Sequence, residues 1–464
     1  MKISPRRALI LGLAREGDSL ARFLASEGMD VTVTDSASPE KLRSRIQSLD
    51  DLPVRVVVGD DSPDLVEETD EFFVSPGVPE SNPVYAAARS AGIPIQSMTT
   101  LFFDLCRGAI IGITGSSGKT TTTGLVGPML REANRDVVVG GNIGNPMLDL
   151  LPRISRDTLV VLELSSFQLD LLRKSPHIAV VTNITPNHLD RHGTMQNYVA
   201  AKRHIVEHQS AQDFAVLNGD DQEVAGLAAG IPSQKRWFSS TTPGTDVGVS
   251  DGSLGIWRTP VDRQVQRFEQ IMPVDEVPLL GTHNLANVAA AATVADIVGV
   301  QPAMMRQAIR TYSPPPHRLQ VVGDHDGVTY IDDSIATTPA RVIVALQALG
   351  QPIVLIAGGR DKKLPWSDFA RWTARRARAL ILVGEAAPLI EREVRAALVE
   401  TSLLKGDMIF RCCSLQAAVT KAAGIAGRGD VVLLSPGCTS YDMFTDFEER
   451  GAAFAAAVEQ LHAA

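Results

Sequence analysis

The sequence predicts an α/β protein in which apolar strands alternate with helical segments through three successive domains. Residues 8–35 have the pattern of a strand, a glycine turn, a helix and a second strand that ends in an acid. Residues 109–124 have the pattern of a strand, a glycine-rich turn and a helix start. From residue 328 onward, four apolar strands each end in a polar or glycine-containing loop. We therefore predict a Rossmann-like domain at 1–106, a central P-loop domain of the ATPase type at 107–312 and a second Rossmann-like domain at 313–464.

Length and composition are consistent with this organisation. A chain of 464 residues is long enough for two or three domains, and its 44% hydrophobic and 21% charged residues are ordinary for a globular protein. The net charge of −9 argues against a nucleic-acid-binding protein. No segment approaches the roughly 20 apolar residues that span a bilayer, and the four cysteines have neither disulfide-framework nor zinc spacing. We expect a cytoplasmic monomer that binds neither nucleic acid nor membranes.

The first domain carries an incomplete dinucleotide-binding fingerprint. Gly12 and Gly17 are present, but Ala14 occupies the position of the middle glycine. Taken alone this is a weak signal, because many such units bind nothing. The acid at the end of the second strand is Asp35, and a later strand is followed by Ser75-Pro76-Gly77, where a ligand loop of such a sheet is expected.

The most informative stretch is Gly115–Thr120, which we call the phosphate loop. It has the short form TGxxGKT, because Ile113 stands where the longer motif has its first glycine. Backbone N–H groups of such a loop and the following helix N-terminus bind phosphate oxygens, while Lys119 reaches the terminal phosphates and Thr120 can bind Mg²⁺. The alternative is a glycine turn with an exposed lysine, which the flanking strand and helix disfavour. The predicted ATP-binding residues here are Gly115, Ser116, Ser117, Gly118, Lys119, Thr120 and Thr121.

Three further residues in the central domain are candidates for catalysis or metal binding. Glu163 ends an apolar strand and pairs naturally with Thr120 as a hard oxygen ligand, although a strand-end carboxylate that faces water is common. His188 is a poor Mg²⁺ ligand and, seen alone, would more often be an ordinary polar residue. Lys202, seen alone, would most often be a solvated helix lysine. The role of residues 235–280 is left open.

Together these segments resemble the Mur ligase family of ATP-dependent amide-forming enzymes. The similar stretches follow the family's order and extend through all three predicted domains. They are TGSSGKT, GGNIG, ELSSFQL, NITPNHLDRHGTMQNYVAAK, GTHNLAN, PPPHR, DDSIATTP, GGRDKK and SPGCTSYDMFTDFEERG.

The resemblance implies a three-domain enzyme that adds D-glutamate to UDP-N-acetylmuramoyl-L-alanine. The first domain would bind this UDP-substrate, the second ATP and magnesium, and the third glutamate and part of the nucleotide. ATP would phosphorylate the terminal carboxylate, and the glutamate amine would attack the resulting acyl phosphate. Two Mg²⁺ ions are implied, for which Mn²⁺ can substitute.

Residue roles follow from the same resemblance. It implies Lys119, His188 and Lys202 as catalytic residues and Thr120, Glu163, His188 and Lys202 (as a carbamate) as metal ligands. The remaining implied contacts are grouped by ligand: Asn287, Arg318 and Asp333 for the nucleotide; Arg15, Asp35, Ser75, Gly77, Asn142, Ser165 and His188 for the UDP-substrate; and Thr337, Lys362, Ser440 and Phe447 for glutamate.

One position departs from the family pattern. Ile335 stands where the similar D-glutamate ligases usually have a lysine close to the acceptor site. Lys362, or Lys362 together with the adjacent Lys363, is therefore expected to hold the substrate carboxylates, with help from Thr337 and Ser440. L-glutamate as the acceptor is therefore a second hypothesis. A P-loop protein that binds nucleotide as a switch or scaffold is an alternative of another class, and folylpolyglutamate synthetase shares the phosphate loop but normally begins near it.

Overall fold

The computed structural model describes residues 6–59, 61–242, 244–258, 267–279, 281–313 and 316–461. Pro314 and Pro315, part of the expected domain boundary, lie outside the described residues. The chain divides into two compact units. The first comprises Met1–Pro278 and Ala286–Tyr312, and the second comprises Leu279–Leu285 and Ser313–Ala464. The first unit contains two sheets and the second contains one, which confirms the predicted α/β fold with three sheet-containing parts. The three predicted domain boundaries remain predictions.

The first sheet is a parallel sheet of five strands in the order β3-β2-β1-β4-β5. Its central strand is an apolar run that is buried except at its first residue, as expected for a strand covered on both faces. The strands are β1 (Arg7–Leu11), β2 (Asp30–Asp35), β3 (Val54–Val58), β4 (Glu71–Val74) and β5 (Ile95–Gln96). The helices are α1 (Arg15–Ser26), α2 (Pro39–Gln47), α3 (Pro83–Ser90) and α4 (Met98–Leu105).

The central sheet has nine strands in the order β14-β13-β12-β11-β10-β9-β6-β8-β7. The strands are β6 (Ala109–Thr114), β7 (Val137–Gly141), β8 (Leu159–Glu163), β9 (Ile178–Val181), β10 (Phe214–Asn218), β11 (Gln234–Phe238), β12 (Val247–Ser250), β13 (Ser253–Arg258) and β14 (Arg267–Pro273). The helices are α5 (Lys119–Glu132), α6 (Ser166–Leu169), α7 (Leu189–His192), α8 (Met195–Glu207), α9 (Gln222–Leu227), α10 (Thr282–Ile297) and α11 (Pro302–Arg310). Strand β6 lies between β8 and β9, so the loops that follow these three strands meet at one edge.

The region around residues 235–280, which the sequence left without a role, extends this central sheet. Within its described residues, β12 pairs with β13 and β13 with β14 in antiparallel fashion. Asp296 of α10, whose side chain is 3% exposed, accepts from Arg236 of β11 and Arg258 of β13, each at 2.6 Å. The shared carboxylate therefore links two strands of this region to helix α10 through two ion pairs.

The sheet of the second unit has the order β15-β16-β20-β17-β18-β19. Its first two strands form an antiparallel hairpin at one edge, and the other neighbours in the sheet pair in parallel, as in many sheets of α/β proteins. The strands are β15 (Gln320–His325), β16 (Val328–Asp332), β17 (Ile353–Gly358), β18 (Ala377–Val383), β19 (Ile409–Arg411) and β20 (Val431–Leu434). The helices are α12 (Pro339–Ala348), α13 (Ser367–Arg376), α14 (Ala387–Ala397), α15 (Leu415–Ala423) and α16 (Phe447–Leu461).

Among the residues that the structure describes, no helix is long and apolar enough to cross a membrane.

Candidate active site

The phosphate loop connects β6 to α5 and can be built only with glycine at two positions. Gly115 has φ +153° and Gly118 has φ +82°, conformations that side chains disfavour. A Cβ on Gly115 would lie 1.9 Å from Thr182 Oγ1, and a Cβ on Gly118 would lie 2.1 Å from Asn287 Oδ1. The loop is therefore in direct contact with neighbouring polar side chains. One of them, Asn287, is a predicted nucleotide contact.

Both serines of the phosphate loop hold it in place. Ser116 is buried, its Oγ donates to the carbonyl oxygen of Thr185 at 2.9 Å, and it lies 3.0 Å from the Tyr198 hydroxyl. The backbone N–H of Ser117 donates to Asn183 Oδ1 at 2.9 Å. Neither Asn183 nor Tyr198 was identified from the sequence, because their contacts with the loop join residues that are 66 and 82 positions apart in the chain.

The N-terminus of α5 supplies the cation and the hydroxyl expected beside a nucleotide. Lys119 Nζ donates to the carbonyl oxygen of Gly115 at 2.9 Å, so the cation lies over its own loop. Thr120 Oγ1 donates to Glu163 Oε2 at 2.8 Å, and Thr121 is buried beside it in α5. The Lys119 cation and the positive end of the α5 dipole thus lie at one place, which is suited to bind phosphate.

Glu163 joins the phosphate loop to the glycine-rich loop after β7. Its side chain is 2% exposed, and its second oxygen, Oε1, accepts from Asn142 Nδ2 at 2.9 Å. The backbone N–H of Asn142 also donates to the Glu163 carbonyl oxygen at 2.8 Å. A buried carboxylate next to a threonine hydroxyl fits Mg²⁺, which prefers hard oxygen ligands and completes its shell with phosphates and water. The described residues contain no group of three or more His, Cys, Asp or Glu side chains that could hold a metal without such help.

Lys202 is buried rather than solvated, which removes the ordinary interpretation of a helix lysine. It is 1% exposed. Its Nζ lies 3.4 Å from Thr114 Oγ1 and 4.7 Å from the centre of the Tyr198 ring. Burial lowers the pKa of Lys202 well below its ordinary value, and the charge of Lys119 lowers it further, while Asp170 acts in the opposite direction. The neutral, nucleophilic form of this amine is therefore easier to reach than that of a solvated lysine.

His188 lies on the loop after β9 and has a left-handed backbone, with φ +53°. It is exposed, and its ring meets Phe167 edge to face, with 5.2 Å between ring centres. Phe167 also stacks on His192 at 5.0 Å, and the Arg191 guanidinium lies 5.2 Å from its ring centre. Phe167 and Arg191 were not predicted from the sequence, although both lie within the quoted motifs.

The predicted UDP-substrate residues of the first sheet mainly bind the backbone of neighbouring loops. Asp35 accepts from the N–H groups of Leu13 at 2.7 Å and Ala37 at 2.8 Å. Ser75 Oγ donates to the carbonyl oxygen of Gly12 at 2.9 Å. These carboxylate and hydroxyl groups therefore stabilise the conformation of the loops that are predicted to bind the ligand.

The other predicted UDP-substrate residues connect loops or cap a helix. Arg15 donates to the carbonyl oxygens of Gly144 at 2.9 Å and Gly141 at 3.3 Å. The carbonyl oxygen of Gly77 accepts from Arg191 at 2.6 Å. Ser165 caps α6, because its Oγ accepts from the backbone N–H of Gln168 at 3.3 Å.

A cavity of about 550 Å³ opens beside these loops within the first unit. Asp170, which contributes to its wall, has a pKa raised to about 6, chiefly because burial disfavours the charged form. The lining includes Ser75, Pro76, Phe167, Asp170, Arg191 and His192.

In the second unit, the predicted residues other than Arg318 follow β16, β17 and β20, which are neighbours in the sheet. Asp333 is buried and accepts from Ser435 Oγ at 2.7 Å and from the N–H of Leu319 at 3.3 Å. Arg318 contributes a positive charge near this carboxylate. Burial nevertheless raises the pKa of Asp333 to about 7, because these favourable interactions only partly offset the cost of desolvation.

The predicted glutamate residues lie at the same edge. Lys362 Nζ donates to Thr337 Oγ1 at 3.1 Å. Ser440 is buried in the loop after β20, and its carbonyl oxygen accepts from the N–H groups of Met443 and Phe444. Phe447 begins α16 and its ring meets that of His317 edge to face at 6.2 Å.

Comparisons with known proteins match the whole length of the chain. Sequence models of three domain families match in succession: the N-terminal domain of MurD-like Mur ligases at residues 6–97, the Mur ligase middle domain at 113–295 and the Mur ligase glutamate ligase domain at 317–438. The UDP-N-acetylmuramoylalanine–D-glutamate ligase of Roseiflexus sp. (strain RS-1) is 42% identical, with 99% of this chain and 100% of the relative covered. The chain belongs to the Mur ligase family.

Other relatives agree with this family assignment. The ligase of the same name from Symbiobacterium thermophilum is also 42% identical, with 98% of each chain covered. Among solved structures, MurC from Thermotoga maritima matches with a TM-score of 0.59 at 18% identity, covering 98% of this chain and 99% of that one. MurF from the same organism in complex with ADP matches with a TM-score of 0.59 at 16% identity, covering 98% of both chains. These structures support the three-part Mur ligase fold.

The first prediction concerns Asp333. An Asp333→Asn substitution is expected to remove part of the pH dependence of thermal stability. The carboxyl has an ordinary pKa of 3.8 and a pKa of about 7 when buried, so the folded protein holds a proton that the unfolded chain releases. The melting temperature of the wild type, relative to the Asn variant, should therefore fall between about pH 4 and about pH 7 and level off above that range.

The exposed Asp368→Asn substitution on α13 is the matched control and should show a nearly constant difference. A constant difference for Asp333→Asn as well would contradict the raised pKa.

Proposed function

We propose that the protein joins D-glutamate to UDP-N-acetylmuramoyl-L-alanine in an ATP-dependent reaction. The observation that carries this proposal is the chain of hydrogen bonds from Thr120 through Glu163 to Asn142. It holds the phosphate loop beside the loop assigned to the UDP-substrate. Transfer of a phosphoryl group requires that the two ligands bind close together. The substrate identities come from the names of relatives that align along almost the entire chain.

The proposed reaction has two balanced steps. An oxygen of the alanine carboxylate attacks the γ-phosphorus of ATP, and the bond to the β-phosphate oxygen breaks, so that ADP leaves. The glutamate amine then attacks the acyl carbon and loses a proton to solvent, and the bond from this carbon to the phosphate oxygen breaks, so that inorganic phosphate leaves. No side-chain nucleophile is needed. Lys119 and the N–H groups of the phosphate loop stabilise the negative charge that develops on the transferred group.

The residues of the first unit also fit the proposed metal ions. Bound Mg²⁺ would neutralise phosphate charge and polarise the phosphoryl group. We assign Thr120 and Glu163 to one ion, and His188 with a carbamylated Lys202 to the second, with Mn²⁺ able to substitute. The hard oxygen pair supports the first ion, and the burial of Lys202 supports a carbamate there. The assignment of His188 rests on the family resemblance. A carbamate would place an anionic oxygen where a buried ammonium would repel the ions.

Assignments in the second unit rest on the family resemblance and on the position of most of these residues after β16, β17 and β20, at one edge of the sheet. Asp333 and Arg318 are assigned to the nucleotide. Thr337, Lys362, Ser440 and Phe447 are assigned to glutamate. The hydrogen bond from Lys362 to Thr337 supports placing these two residues in one pocket. In the first unit, Asn287 is assigned to the nucleotide because it lies against Gly118.

The decisive experiment is phosphate release from ATP by the purified protein with UDP-N-acetylmuramoyl-L-alanine and either D- or L-glutamate. We expect rapid release that requires the UDP-substrate together with D-glutamate. Competition between the two enantiomers tests the second hypothesis, in which Ile335 in place of the usual lysine allows L-glutamate to bind. A preference for L-glutamate would overturn our first choice. Nucleotide binding without turnover would favour a switch or scaffold.

Lys119→Ala is expected to leave the fold intact and nearly abolish ligation. The substitution removes the cation over the phosphate loop and keeps both loop glycines. Charge stabilisation of this kind typically contributes a factor of ~10²–10³ to the rate. The measurement is kcat for phosphate release, with Lys174→Ala as the control because Lys174 is exposed and paired with Asp104. Near-normal turnover of Lys119→Ala would mean that ATP binds elsewhere.

Lys202→Ala is expected to be inactive and to regain part of its activity with a short carboxylate such as acetate. The small anion would fill the space of the proposed carbamate and supply its oxygen. An independent measurement is electron density at Nζ in crystals grown with ATP and Mg²⁺, where the wild type should show a carbamate. An unmodified amine in that complex would contradict the assignment whatever the activity.

A further inference from the structure

An arginine from the first sheet closes the turn that follows β7. The turn runs from Gly141 to Gly144, and we call it the β7 turn. Arg15, the first residue of α1, donates from Nη1 to the carbonyl oxygen of Gly144 at 2.9 Å and from Nη2 to that of Gly141 at 3.3 Å. One guanidinium therefore binds both ends of a four-residue segment. Because its nitrogens are held in one plane, it restricts the conformation of the turn between them.

The β7 turn carries the amide that binds the buried carboxylate of Glu163. Asn142 Nδ2 donates to Glu163 Oε1 at 2.9 Å, and the backbone N–H of Asn142 donates to the Glu163 carbonyl oxygen at 2.8 Å. The turn lies so close to β8 that a Cβ on Gly141 would be 2.3 Å from that carbonyl oxygen. The other carboxylate oxygen of Glu163 accepts from Thr120. A shift of the β7 turn would therefore move a direct partner of this carboxylate.

Helix α1 has two further hydrogen bonds to the central part of the first unit. Ser19 Oγ donates to Asp149 Oδ1 at 2.7 Å, and Glu16 Oε1 accepts from Gln168 Nε2 at 2.7 Å. Both Ser19 and Gln168 are buried. Neither bond involves the β7 turn. Loss of the Arg15 side chain would thus leave α1 with these two contacts and would release the turn alone.

We propose that Arg15 is a positioning residue for phosphoryl transfer, which holds the β7 turn in the conformation that keeps Asn142 bonded to Glu163. This inference rests on the proposed function, in which Glu163 and Thr120 hold a metal ion. It gives Arg15 a role different from the contact with the UDP-substrate that the family resemblance implies. Loss of a group that orients a metal ligand typically costs a factor of ~10–100 in activity or metal affinity.

The test compares Arg15→Ala and Arg15→Lys with the wild type in the full-length protein. For Arg15→Ala we expect kcat for phosphate release at saturating substrates to fall about 10- to 100-fold, with unchanged KM values for ATP and glutamate. Arg15→Lys should lose less, because lysine keeps the charge but lacks the rigid fork that binds two carbonyl oxygens.

Hydrogen–deuterium exchange of the ligand-free protein is the second measurement, and it needs no turnover. In Arg15→Ala, peptides that cover residues 140–145 should exchange faster, because the backbone N–H of Asn142 loses its fixed position against Glu163. Peptides from α1 should exchange as in the wild type. Unchanged exchange of residues 140–145 would overturn the proposal whatever the activity.

Ser19→Ala is the matched control, because it removes a bond that holds α1 and leaves the β7 turn untouched. It should keep the wild-type kcat and the wild-type exchange of residues 140–145. An equal loss of kcat in Ser19→Ala would show that Arg15 only helps to hold α1. A raised KM for the UDP-substrate with unchanged kcat in Arg15→Ala would show a direct substrate contact instead. Either result would overturn the proposal, whereas a wild-type protein without ligase activity would contradict the proposed function itself.

Discussion

The arrangement of the candidate site depends on one buried carboxylate, that of Glu163. Each of its two oxygens accepts a hydrogen bond, one from Thr120 and one from Asn142. A carboxylate removed from water must find such partners, because leaving a buried polar group without a hydrogen bond costs ~1–3 kcal/mol, and more for a charged group. The requirement therefore holds two separate loops together before any ligand arrives, and it keeps two oxygens where a cation can bind.

Close backbone packing has a similar effect on the phosphate loop. Side chains from two neighbouring segments, Thr182 and Asn287, occupy the space that a Cβ would need at Gly115 and Gly118. The same principle explains why Gly17 is present in the incomplete fingerprint of the first domain. A Cβ on Gly17 would lie 1.9 Å from the carbonyl oxygen of Gly12, so this glycine is required for packing of the helix against the turn, whatever ligand binds there.

Several polar residues that the sequence predicts as ligand contacts form hydrogen bonds with backbone groups of neighbouring loops. Asp35 binds two backbone N–H groups, and Ser75 binds the Gly12 carbonyl oxygen. Loops at the end of a parallel sheet have many backbone groups that the ladder does not pair, and nearby side chains must bind them. A ligand would therefore bind to loops that are already ordered by hydrogen bonds, which reduces the conformational entropy that the protein loses on binding.

The sequence by itself determined the α/β class, the strands that carry the site and the phosphate loop. These follow from local patterns, because apolar runs, glycine turns and helix starts are encoded by neighbouring residues. Only the tertiary structure decided which side chains meet. That Tyr198 reaches Ser116, that Lys202 is buried and that Arg15 binds the β7 turn depend on packing between elements distant in the chain or on the direction of a long side chain. Spacing along the sequence specifies neither the burial of a residue nor the direction of its side chain. Both are set by the neighbours that surround the residue in the folded chain.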